Sequence, residues 1–143
     1  MERFSRLAPW LTRLILLMPM LVFALIASRY IAYPVQTAAT VGISLDSALA
    51  VTITRIGFGA FPLGCSLFTL SCVVSTRRLL TGLGFVATMI GVALAVRIFG
   101  ILVDGTARES MRLVGAEIVL LTITIIGVFI EFSRRRYQLK NAT

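Results

Sequence analysis

Apolar residues run along this chain in four long blocks, at about residues 13–33, 48–76, 79–103 and 111–132. Each block is long enough for the roughly 20 residues that a membrane-spanning helix needs. The polar interruptions are short. Pro34 to Ser47 holds Gln36, Thr37, Thr40, Ser44 and Asp46; Ser75-Thr76-Arg77-Arg78 makes a tight basic turn; Asp104-Gly105-Thr106-Ala107-Arg108-Glu109-Ser110 separates the last two blocks. This pattern predicts an all-α, integral membrane four-helix bundle, with residues 1–143 as a single transmembrane domain. Asp46 or Ser47 stands where a side-chain oxygen caps the start of the second helix. Pro62 removes a backbone hydrogen bond and predicts a bend in that helix, while Gly57, Gly59 and Gly64 let another backbone come close. Gly84, Gly91 and Gly100 lighten the third block for the same packing reason.

A basic start followed by an apolar stretch is also the pattern of a cleaved signal peptide. Here no small-x-small cleavage site follows Ala27, and the apolar character continues through Ile31 and Ala32. The first block is therefore expected to be a retained span, with Trp10 and Tyr30 at its two interfaces.

Composition strengthens the membrane reading. The chain has 143 residues and is 58% hydrophobic but only 14% charged, with a mean hydropathy of +0.97. A soluble domain carries about a quarter charged residues. The net charge of +8 raises the question of nucleic acid, yet no aromatic-basic interleaving accompanies it, and no nucleic-acid partner is expected. The cations instead flank the apolar blocks. Placing both termini in the cytoplasm puts nine of them inside, namely Arg3, Arg6, Arg13, Arg77, Arg78, Arg134, Arg135, Arg136 and Lys140. Three, Arg29, Arg108 and Arg112, then lie at the outer ends, and Arg55 and Arg97 are embedded. That imbalance predicts a multi-pass protein of the cytoplasmic (inner) membrane with both ends inside.

Chemistry-bearing residues are sparse. There is no histidine, so haem ligation and ordinary zinc sites lose their commonest ligand. Cys65 and Cys72 share a helical face about 10.5 Å apart along the axis, too far to bridge each other, and read as small packing residues. No nucleophile has a histidine base and no phosphate-cradling loop is present, so no catalytic residue, metal or cofactor is assigned.

The embedded charges locate the candidate site. Arg97 and Glu117 lie ten residues either side of residue 107, so an antiparallel hairpin sets them side by side. Arg55 lies at a similar depth in the second block, roughly 9–11 Å below the outer boundary at 1.5 Å per residue. Asp104 follows Arg97 by seven positions, and Asp46 precedes the second helix. A lone charge in a span costs about 2.5–3.5 kcal/mol, so these groups are expected to face inward and to pair. One reading makes Arg97–Glu117 a clamp that sets the hairpin register. The other counts two embedded arginines against one carboxylate and leaves a guanidinium for an anion, a ligand oxygen or a partner's acid.

Three segments carry a family resemblance: Arg55-Ile56-Gly57-Phe58-Gly59-Ala60-Phe61-Pro62-Leu63-Gly64, Val96-Arg97-Ile98-Phe99-Gly100-Ile101-Leu102-Val103-Asp104-Gly105, and Gly115-Ala116-Glu117-Ile118-Val119. In order and spacing they resemble the bacterial domain of unknown function 4345 family, small four-span membrane proteins without an established activity. The resemblance covers about residues 40–130 and implies that Arg55, Arg97, Asp104 and Glu117 occupy the family's polar positions. Gly59-Ala60 stands where the family's pattern has two adjacent glycines. A more distant likeness to DoxX-type four-helix membrane proteins is one of fold only.

The leading expectation is a non-enzymatic membrane protein that binds a small amphipathic or anionic ligand, or a partner membrane helix, at Arg55, Arg97, Asp104 and Glu117. The alternative is a membrane enzyme or redox-complex accessory acting on a quinone- or lipid-like substrate. A small transporter is third and would need a homo-oligomer, since four spans offer no inverted repeat.

Overall fold

The computed structural model describes residues 2–105 and 108–140. Thr106 and Ala107 of the predicted last turn lie outside the described residues, as do the side chains of Arg3, Arg6, Arg108 and Glu109. The protein is all-α, with no strand among the described residues. Four helices, Leu7–Ala32, Ala48–Val74, Thr76–Asp104 and Ser110–Lys140, are long and apolar enough to cross a membrane. They are the element set of a four-helix bundle.

Helix α1 spans Glu2–Ala32 and stops where proline chemistry requires it. Tyr33, at φ −131° and ψ 59°, is pushed out of the helical region by the ring of Pro34, which then opens α2 (Pro34–Ala39) at its first position. The polar connection after the first span thus contains a short helix of its own. Gly42 ends it at φ +79°. Its N–H donates to the Ala39 carbonyl at 3.1 Å, and the Ile43 N–H reaches back to the Ala38 carbonyl at 3.0 Å. This left-handed cap suits glycine because no Cβ meets the carbonyl.

The second span is one rod made of three parts: α3 (Ala48–Thr54), a π-helical segment (Arg55–Ala60) and α4 (Phe61–Val74). Of the two residues expected to cap it, Ser47 does so, accepting from the Ala50 N–H at 3.1 Å. At Pro62, where the sequence predicts a bend, the helix shows the π segment just before the proline. The proline has no N–H for the Phe58 carbonyl four residues back, and its ring would strike that carbonyl in a tight α-turn. Widening just before it relieves both, and the Phe61 N–H bonds to Ile56, five residues back.

A 3₁₀ turn (Thr76–Arg78) leads to α5 (Leu79–Asp104), and α6 (Arg108–Lys140) follows. Helix α6 continues well past the apolar block ending near Phe132. The extra turns are good helix formers, stitched by ion pairs from Glu131 to Arg134 and Arg135.

The chain divides into two compact units, Met1–Leu16 with Cys72–Thr143, and Leu17–Ser71. In the first, buried positions recur at helical spacing: Ala8, Thr12 and Leu16 on α1; Leu79, Leu83, Val86 and Ile90 on α5; Thr124 and Glu131 on α6. Since lipid tails are as apolar as these side chains, close packing rather than desolvation holds such helices together. Gly82 shows how close: a Cβ there would sit 2.6 Å from the Cys72 Cβ. Arg13 ties α1 to the turn, donating through Nε to the Val73 carbonyl at 3.1 Å and through Nη2 to Thr76 Oγ1 at 2.9 Å. In the second unit, Ser66 donates to the Met20 carbonyl at 3.1 Å. Tyr30 stacks on Phe58 with ring centroids 5.2 Å apart, and Gly59 faces Ile31 so closely that a Cβ would lie 2.8 Å from it. Both cysteines are buried and unbridged.

Candidate functional site

Helices α5 and α6 bring Arg97 and Glu117 into direct contact, as their equal distance from residue 107 predicts. Arg97 Nε donates to both carboxylate oxygens at 3.0 Å, and Nη2 donates to Oε1 at 2.7 Å. The guanidinium fork therefore meets the carboxylate along one edge, the strong geometry for this pair. The other terminal nitrogen, Nη1, makes no hydrogen bond among the described residues. The pair is half-open, with side-chain exposures of 30% for Arg97 and 18% for Glu117.

Among the described residues no hydrogen bond or ion pair joins the other predicted site residues to this contact. Asp104 is exposed in the last turn of α5. Its Oδ2 turns back toward Gly100, 3.8 Å from where a Cβ would be, and it forms no ion pair among the described residues. Arg55 belongs to the other compact unit. It is exposed, opens the π segment, and its guanidinium has no hydrogen-bond or ion-pair partner among the described residues. Asp46 accepts from Ser44 at 3.4 Å. Thr124, a turn or two deeper than Glu117, is buried but spends its hydroxyl on the Leu120 carbonyl at 2.8 Å.

A second ionic cluster lies at the opposite end of the α5–α6 pair, and sequence reasoning missed it. Glu131 is fully buried. Arg134 grips it through Nε at 2.9 Å and Nη2 at 2.5 Å, and Arg135 adds Nε at 3.1 Å. Arg135 also reaches across to the Arg77 carbonyl at 2.7 Å, while Arg134 Nη1 donates to Gln138 at 3.2 Å. The signal was present in the i, i+3 and i, i+4 spacing of Glu131 with two arginines. It was absorbed by the more familiar reading of a basic end as a topology signal.

These helices and their embedded ion pairs define a multi-pass membrane protein. Comparison with protein-family models, with curated proteins and with solved structures yields no match.

Proposed function

We propose that this is a non-enzymatic binding protein of the cytoplasmic membrane, with both termini in the cytoplasm. In this reading it takes a small amphipathic or anionic ligand, or a partner helix, at the polar positions Arg97, Asp104 and Glu117, with Arg55, in the other compact unit, a candidate on its own. One observation carries it: among the described residues the Arg97–Glu117 pair leaves the Nη1 edge of the guanidinium unengaged, with 30% of the arginine side chain exposed. A pair serving only as a clamp is better closed, as Glu131–Arg134 is at 0% and 8% exposure. In an apolar segment an unengaged N–H edge favours an acceptor oxygen, whether carbonyl, carboxylate or phosphate. Arg55, without an ion pair among the described residues, is a separate donor of the same kind in its own unit. The order of these polar positions also supports kinship with the domain of unknown function 4345 family.

The test is native mass spectrometry of protein purified in mild detergent, to detect a co-purifying molecule, followed by two variants. Arg97→Lys preserves the charge opposite Glu117 but deletes the free fork edge, and Arg55→Leu removes the second donor. Arg97→Lys is expected to lower retention about tenfold, the loss of one charge-assisted hydrogen bond, with folding intact, and Arg55→Leu reads separately whether the other unit also holds the molecule. Full retention in both variants overturns the reading. Turnover of the retained molecule by the wild-type protein would move it to the enzyme class.

A further inference from the structure

The missed cluster walls an open cleft of about 590 Å³, lined by Thr76, Arg77, Arg134, Arg135, Gln138 and Leu139. No carboxylate is among the lining residues. Glu131 is buried behind the wall with its oxygens committed to Arg134 and Arg135. Among the described residues, three arginines against that one carboxylate leave a surplus of two positive charges.

The guanidiniums are also held in place. Glu131 fixes Arg134 and Arg135 from behind, Gln138 receives Arg134 Nη1, and the Arg77 carbonyl receives Arg135 Nη2. Thr76 is pinned in turn by Arg13. The side chain of Arg77 is exposed at the cleft. Preset forks lose little conformational freedom when an anion arrives, which separates this arrangement from a row of solvated basic residues. The cleft sits where the apolar block of α6 gives way to its polar turns, the part of a spanning helix that meets headgroups.

We propose that this cleft binds a phosphate group, held by Arg77 and Arg135 with Gln138 and Thr76 beside it, while Arg134, its nitrogens committed to Glu131 and Gln138, contributes only its charge. Tetrahedral oxygens carrying up to two negative charges match both the surplus charge and the forked donors. The site is separate from the ligand reading at Arg97 and stands without it. Two sources share this chemistry: the headgroup of an anionic phospholipid and a free phosphate.

Native mass spectrometry of the full chain, offered phosphatidate, phosphatidylcholine or inorganic phosphate in turn, tests the proposal. The expected result is preferential retention of phosphatidate over phosphatidylcholine. Competition by inorganic phosphate at equal affinity would instead identify the free anion as the source. Arg77→Gln removes no side-chain bond seen among the described residues and should weaken either probe about tenfold, and Arg135→Gln should do so at least as much. Arg78→Gln, next door but outside the cleft, should change retention less than twofold. Failure of both anionic probes to exceed phosphatidylcholine overturns the proposal. So does an Arg78→Gln effect equal to that of Arg77→Gln, which would mean diffuse charge attraction.

Discussion

At the scale of single residues, glycines that look alike in the sequence do different work. Gly82 and Gly84 lie two apart in α5, yet a Cβ at Gly82 would meet the Cys72 Cβ at 2.6 Å while one at Gly84 would meet no heavy atom within 4 Å. Gly82→Ala should therefore destabilise the protein by about 1–3 kcal/mol through overpacking. Gly84→Ala should match or slightly exceed the wild type, since alanine favours the helix. Unfolding in mixed micelles against increasing denaturing detergent separates the two, and equal stability would show that α4 and α5 do not approach as described. The sequence singled out Gly84, Gly91 and Gly100 but passed over Gly82. Helix α5 is apolar nearly all round, so no amphipathic stripe marks which face meets a neighbour.

At the scale of elements, the hairpin register was legible because charges inside apolar helices have few places to go. Placing Arg97 and Glu117 symmetrically about residue 107 was enough to pair them. Losing either partner strands the other in an apolar segment, so Arg97→Leu and Glu117→Leu should each cost about 2.5–3.5 kcal/mol. The double variant should recover most of that loss, because two leucines suit such a position without a partner. A double-mutant cycle on detergent unfolding measures the coupling. Purely additive losses would mean that each charge is satisfied elsewhere. The π segment and helix α2 were harder to foresee. A proline in a span announces disruption, but whether the chain kinks, breaks or widens depends on which carbonyls find other donors, and that is decided by neighbouring turns.

At the scale of the whole molecule, four spans and an all-α chain followed directly from run length and hydropathy. How the polar positions combine did not. Arg55 shares a depth with Arg97 on paper, but depth along a helix says nothing of direction around it. The positive-inside count instead yields an orientation that can be checked without reference to any site. Reporter fusions at residue 143 and within residues 104–110 should report opposite compartments, the former cytoplasmic. A periplasmic signal at residue 143 would invert the assignment and move the phosphate cleft to the outer leaflet.

The π segment has a consequence for comparing this chain with others. It carries about one residue more per turn than an α-helix, or about 100° of rotation. The buried positions record the slip: Thr54 and Gly59 lie five apart, whereas Cys65, Thr69 and Cys72 follow the usual three-to-four interval. The second span is thus two helical phases joined by an insertion. Deleting one residue between Arg55 and Ala60 would rewind it to an unbroken α-helix and still leave a full-length span. Related chains aligned on hydropathy alone would hide that difference, so a single gap within this stretch is the place to look when matching the arginine of the second span.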